Sequence, residues 1–185
     1  IPRLEAEGLL HTVPQRGLQI AHVDLKLINN AFQLRLLLER EAAIRFTTSV
    51  PDAELAAIEQ AHLDIVRRAR QGPIDNQLLS DATMVDWGLH DLMIDASKNE
   101  LISDVYRINS LRVRLIKLEG TTLSADVLLS AMEEHLWFLD AVKQRDPQAA
   151  AQRLTHHIES AHHRVLGLPR PVMPWSLENL VEIPS

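Results

Sequence analysis

From residue 24 onward, the apolar positions of this chain recur with a helical period. Leu27, Ala31, Leu34 and Leu38 form one stripe, continued by Ala42 and Phe46. Asp24 can cap this first helix, which is predicted to run to about Thr48. Pro51-Asp52 opens a second helix with Leu55, Ile58, His62 and Ile65 on one side, and Gln71-Gly72-Pro73 stops it. A third helix is predicted from Asn76 to Ala96. Asn99 caps a fourth, from Glu100 to about Leu118. Glu119-Gly120-Thr121-Thr122 separates it from a fifth, Ala125 to Gln144. Asp146-Pro147 then restarts the chain, with Asp at the cap and Pro in the first turn, where its missing N–H costs nothing. The sixth helix runs to about Leu166 and ends at Gly167. Short links between six helices predict an all-α, antiparallel six-helix bundle and exclude a parallel sheet.

The ends of the chain are patterned differently. Leu4-Glu5-Ala6-Glu7-Gly8 reads as a helix end closed by glycine. Leu9 to Thr12 reads as a short strand, Pro14-Gln15-Arg16-Gly17 as a turn, and Leu18-Gln19-Ile20 as a returning strand. This is too little to fold alone, so residues 1–23 are expected to be the trailing part of a small domain. Arg16 lies at the ribbon tip, where a phosphate contact competes with a plain solvated role. Residues 24–167 form the helical domain. Residues 168–185 carry Pro169, Pro171, Pro174 and Pro184 among Trp175, Leu177, Leu180, Val181 and Ile183, and are predicted to lie irregularly on another surface.

Composition narrows the picture. Of 185 residues, 46% are hydrophobic but only 4% aromatic, so aliphatic side chains must fill the core. The net charge of -6 argues against a free-standing nucleic-acid binder. There is no cysteine, which excludes disulfides and thiolate ligands and suits a reducing cytoplasm. No apolar run is long enough to span a bilayer. The chain opens at Ile1-Pro2-Arg3 without an initiator Met, so a fragment is expected.

Four polar side chains interrupt the core stripes. On the third helix the inward positions are Leu79, Ala82, Asp86, His90 and Met93, and the i,i+4 spacing stacks Asp86 and His90 on one face. On the fifth they are Leu128, Met132, His135, Leu139 and Val142. On the sixth they are Ala150, Leu154, His157, Ala161 and Val165. His135 lies 11 residues before Asp146 and His157 lies 11 after it. At ~1.5 Å per residue both sit about 16 Å from the turn, so an antiparallel hairpin brings them to one level. A buried carboxylate is costly unless paired or liganded. Asp86, His90, His135 and His157 therefore form a candidate N₃O site for a divalent ion, zinc first, with nickel, iron, cobalt or manganese as alternatives.

Other polar residues are weaker candidates. His156 should point about 100° away from His157. His162 or His163 is placed at the rim of a ligand pocket, and His62 at the helix surface or core edge. Glu133 and Glu134 flank His135 but turn from its face, and no Ser–His–Asp or His-Glu-x-x-His arrangement is present. One metal without an evident base suits capture of a ligand better than turnover. A small organic acid can complete the coordination shell, with Arg35, Arg107 and Arg112 (and His162) as candidate effector contacts. Trp87 and Trp137 border the site in sequence. The competing reading is a helical metalloenzyme, a hydrolase or oxygenase, on the same four ligands. A structural metal in a dimerisation module is a third.

Leu4-Glu5-Ala6-Glu7-Gly8-Leu9-Leu10 with Pro14-Gln15-Arg16-Gly17 resembles the end of a GntR-type winged helix-turn-helix domain and its wing. Arg35-Leu36-Leu37-Leu38-Glu39 resembles the start of the effector domain of the FadR branch, the FCD domain. Asp86-x-x-x-His90 followed by Ala96-Ser97-Lys98-Asn99 is similar to that domain's central motif. Glu134-His135 through Asp146, Ala149-Ala150 and His157 is similar to its closing helices. The resemblance implies a homodimeric cytoplasmic transcriptional regulator that binds a palindromic operator, and whose DNA affinity is altered by a carboxylate metabolite. It implies Asp86, His90, His135 and His157 as metal ligands and Arg16 as a wing-tip DNA contact. It disfavours an acyl-CoA ligand, and the count of six helices points to the VanR-like subgroup. The helix-turn-helix itself would precede residue 1, so these 185 residues are not expected to read DNA alone. The first and fourth helices are the expected dimer surface.

Overall fold

The computed structural model describes residue 5 and residues 7–120 and 125–174, without the side chains of residues 11, 118–120, 125 and 126. Two short strands, β1 (Leu10–Val13) and β2 (Gly17–Ile20), form an antiparallel ribbon in which Leu10 faces Ile20 and Val13 faces Gly17. Six helices follow: α1 (Leu25–Ser49), α2 (Asp52–Gln71), α3 (Asn76–Asp95), α4 (Glu100–Gly120), α5 (Ala125–Lys143) and α6 (Pro147–Leu166). The expected all-helical bundle behind a two-stranded ribbon is therefore the fold observed. The predicted course of the tail beyond Pro174 and of the turn at Thr121-Thr122 lies outside the described residues.

The helix ends follow from local chemistry. Asp24 Oδ1 accepts from the Leu27 amide at 2.7 Å, Asp75 Oδ1 from Leu78 at 2.8 Å, and Asp146 Oδ1 from Gln148 and Ala149 at 3.1 and 3.0 Å. Each satisfies donors the first turn cannot pair, worth about 1 kcal/mol per cap. Gly167 ends α6 at φ 67, a left-handed conformation that disfavours a Cβ. The ribbon turn uses Gln15 at φ 64 as well as Gly17 at φ 86.

Helix α1 packs mainly on α6, and α5 on both α6 and α2, with α3 and α4 closing the remaining sides. The core is aliphatic, as the composition requires, and all three phenylalanines (Phe32, Phe46 and Phe138) are buried in it. One stripe differs from expectation. The deepest face of α1 is Ile28, Ala31, Phe32, Arg35, Glu39, Ala42, Ala43 and Phe46; Leu27, Leu34 and Leu38 lie at its edge and are only partly buried. The helix is rotated by about one residue toward a buried ion pair, Arg35 Nε to Glu39 Oε1 at 2.6 Å. No described helix is long and apolar enough to cross a membrane.

Candidate metal centre and its cavity

Helix α3 contributes Asp86 and His90, α5 contributes His135 and α6 contributes His157. One ligand atom from each lies within 4.8 Å of the other three, and all four residues are buried. Four donors about 2.1 Å from one ion sit roughly 3.0–4.2 Å from one another, so small side-chain shifts would close the set. The two hairpin imidazoles expected at one level lie with their Nε2 atoms 3.1 Å apart. His135 Nε2 is 3.6 Å from Asp86 Oδ1.

The opposite nitrogens of His135 and His157 have hydrogen-bond partners, and that of His90 lies beside a carboxylate without a hydrogen bond to it. His157 Nδ1 lies 2.9 Å from Glu134 Oε2, and His90 Nδ1 lies 2.7 Å from Glu39 Oε2. His135 Nδ1 lies 3.1 Å from His62 Nε2, while His62 Nδ1 lies 2.8 Å from the Ile58 carbonyl. A carbonyl only accepts, so His62 Nδ1 carries its proton and its Nε2 accepts from His135. Glu134 likewise holds the proton of His157 on Nδ1. The Nε2 atoms of His135 and His157 then present lone pairs to one point, while His90 Nε2 accepts from Arg35 Nη2 at 2.6 Å. Two lone pairs 3.1 Å apart, facing a carboxylate without a proton between them, repel each other. That donor set fits a divalent cation, and the Nδ1 partners are of the kind that orient metal-bound imidazoles.

Burial favours neutral rings at His62, His135 and His157, while neighbouring cations favour ionised acids. Burial pushes His135 well below the ordinary histidine range and His157 down to about 4, although Glu134 opposes the latter. Burial also lowers His62. Burial alone would raise Glu39, but Arg35 and His90 outweigh it and hold the carboxyl at about 2. The same contest at Asp86 is won chiefly by Lys117, which holds it well below the carboxylate range. Lys117 Nζ donates to Asp86 Oδ2 at 3.1 Å.

On one side the cluster opens to a cavity of about 420 Å³. Its walls are largely apolar, formed by Ala82, Val127, Leu128, Ala131, Met132 and Val165. Asp86 and His157 reach it from the cluster, and Arg114, Lys117 and Arg164 bring positive charge. Arg114 and Lys117 both stand 4.6 Å from the Trp87 ring, which gives these partly exposed cations a polarisable face. Arg164 grips Glu134 through both terminal nitrogens at 2.9 and 3.2 Å.

Several expected contacts are placed elsewhere. Arg107 is exposed and pairs with Asp104 one turn away, because it faces outward on α4. Arg112 donates to the Glu7 carbonyl at 2.7 Å, toward the ribbon, and it is Arg114, on the other side of the helix, that lines the cavity. His162 stacks on Phe32 at 4.7 Å and meets Asn29 Oδ1 at 3.0 Å, off the cavity wall. His163 turns to the Pro169 carbonyl. Arg35 reaches the cluster, with Nη2 2.6 Å from His90 Nε2, but sits behind it and not on the cavity wall. His62, expected at the surface or core edge, is only 1% exposed and bonded to a candidate ligand. Arg16 is exposed at the ribbon tip. Sequence reasoning also passed over Glu134 as a partner. It turns from the face of His135, and that same rotation points it at α6. The available signals were Glu39 one turn after Arg35 and a lysine beside the apolar pair Leu115-Ile116.

Residues 30–160 match the FCD domain. The HTH-type transcriptional repressor RspR of Escherichia coli (strain K12) is 24% identical over 181 residues, 95% of this chain and 75% of that protein. The HTH-type transcriptional regulator YdhC of Bacillus subtilis (strain 168) is 22% identical over 157 residues, 83% of this chain. The chain spans only 66% of the length of YdhC. Among solved structures, the metal-free FCD domain of TM0439 superposes with a TM-score of 0.63 at 21% identity, covering 80% of this chain and 96% of that one. The Zn²⁺-bound form of the same domain gives 0.61 over the same shares. These structural likenesses establish the fold.

Proposed function

Because this chain belongs to the FCD domain family, we propose that its bundle is the metal-containing effector-sensing domain of a DNA-binding transcriptional regulator. The observation that carries this reading is the buried convergence of Asp86, His90, His135 and His157, with the Nδ1 atoms of His135 and His157 already committed to partners. Asp86, His90, His135 and His157 would hold the ion, and zinc suits the nitrogen-rich set best. The Zn²⁺-bound form of a structurally similar domain supports the same choice.

The effector is a small organic acid taken up in the cavity beside the ion. Three carboxylates (Glu39, Asp86 and Glu134) face three cations (Arg35, Lys117 and Arg164) around the cluster, so the metal-free set is balanced. A divalent ion adds two positive charges beside the cavity, where Arg114 is balanced by Asp91, and an anion restores the balance. Arg114, Lys117 and Arg164 take the roles first assigned to Arg107, Arg112 and His162, and Arg35 acts from behind through His90. In the whole regulator the partner is operator DNA, with Arg16 at the tip of a ribbon acting as a wing. The regulator works as a homodimer in the cytoplasm.

The metalloenzyme reading has less support. Glu39 and Glu134, the acids nearest the cluster after Asp86, are both bound to ligand imidazoles, so neither is free to act as a base. The deciding experiment is elemental analysis of the purified protein, followed by thermal shifts with a panel of carboxylates. Stoichiometric zinc is expected, with a metal-dependent rise in melting temperature for some acids. If zinc is absent, even after incubation with the ion, and Asp86→Ala changes neither uptake nor ligand response, the proposal is wrong.

A further inference from the structure

Lys117 touches both halves of the site. Its ammonium donates to Asp86 Oδ2, on the carboxylate whose Oδ1 faces His135, and the same side chain lines the cavity and lies over Trp87. The pair is not an ordinary surface bridge, for the side chains of Lys117 and Asp86 are only 32% and 11% exposed. Asp86 is buried and ionised and needs a nearby positive charge in the absence of metal; Lys117 supplies it. An ion at Asp86 would supply that charge instead, and would repel an ammonium held against the same carboxylate. Arg35 stands in a comparable relation to His90 Nε2 but has no route to the cavity, being locked to Glu39 and buried.

Building on the metal-sensor reading, we propose that Lys117 is a displaceable counter-ion that neutralises Asp86 without metal and, once a metal takes Asp86, turns its charge to the carboxylate of an effector in the cavity. Metal and effector are then linked through this side chain in addition to the charge of the ion itself. Each tightens the binding of the other by the same factor, as linkage requires. The apolar walls of Val127, Leu128, Ala131, Met132 and Val165 favour an acid with a hydrocarbon body, so benzoate is a suitable probe.

The test uses the full chain stripped with a chelator, and titration calorimetry with zinc and benzoate, each alone and together. In the wild type, zinc is expected to tighten benzoate binding, and benzoate zinc binding, by about tenfold. Lys117→Met keeps the apolar stem and removes the charge. It should bind zinc about tenfold more tightly without benzoate, the weight of one charge-assisted hydrogen bond lost by the competitor, and show weaker coupling. Lys117→Arg should restore coupling, and Lys117→Gln serves if the Met variant does not fold. Wild type that takes up no zinc overturns the metal reading and this inference with it. Wild type that takes up zinc, while the uncharged variants bind it no more tightly and stay as strongly coupled, overturns the inference alone. If benzoate is not an anion the cavity accepts, the zinc affinities of the variants still decide the matter.

Discussion

The two sides of the Asp86 cluster are built on opposite principles. Behind it, toward α1, α2 and α5, the polar groups are enclosed and packed against one another. Glu39 holds His90 and Arg35, His62 holds His135, and Glu134 holds His157. In front, toward the cavity, the groups are cationic, partly exposed and set among apolar walls. The closed side chooses which nitrogen of His135 and of His157 carries the proton and fixes where their lone pairs point. The open side sets cations, each paired with an acid, beside space that a ligand can enter. A site meant only to hold the bundle together would need the first side and not the second.

The comparison can be broken most completely at the ligands. His135→Ala removes the central imidazole, which contacts both His157 and His62, and zinc uptake measured by equilibrium dialysis should fall by more than about a hundredfold. The closed side comes next. Glu39→Gln leaves Arg35 buried against a neutral amide, and denaturant unfolding of the metal-free protein should show a loss of about 3–5 kcal/mol. A loss near zero would mean that this side tolerates an unpaired charge and is not as closed as its geometry indicates. His62→Leu takes the acceptor from His135 Nδ1 without touching a ligand, so zinc affinity should drop by about tenfold while benzoate affinity in saturating zinc stays level. The smallest effect is expected on the open side. Arg114→Met, at a side chain 45% exposed, should weaken benzoate a few-fold, on the order of 0.5–1 kcal/mol, with zinc unchanged. A zinc response to this last variant would blur the division between the two sides.

The sequence disclosed one of these sides far better than the other. The helix bounds followed from Asp24, Asp146 and Gly167, residues whose effect is local. The four candidate ligands were visible because each occupies a place on a stripe where an aliphatic residue would be expected. The hairpin turn at Asp146-Pro147 allowed two of them to be levelled by counting residues. What lay beyond reach was anything set by the meeting of helices distant in sequence. His62 and His135 are 73 residues apart, and Lys117 and Asp86 are 31 apart, so no local spacing connects them. The stripe on α1 misled for a related reason. Its leucines looked like the core face, but the helix turns Arg35 and Glu39 inward to serve the cluster, a preference that arises only once His90 is alongside. On α4 the error was one of phase. Arg107 and Arg112 were singled out, while Arg114 and Lys117, three residues apart and therefore on one face, are the ones that meet the cavity.

Arg112 gains a different meaning from where it lies. Its guanidinium holds the Glu7 carbonyl, just before the ribbon, while the chain after the ribbon enters α1 through the Asp24 cap. Among the described contacts, the ribbon is joined to the bundle by a covalent link on α1 and a breakable one on α4. Those two helices also carry Glu39 and Lys117, on opposite sides of the cluster. A slide of α1 against α4 would pull the two fastenings apart, and the two-point mounting would turn that slide into a tilt of the ribbon.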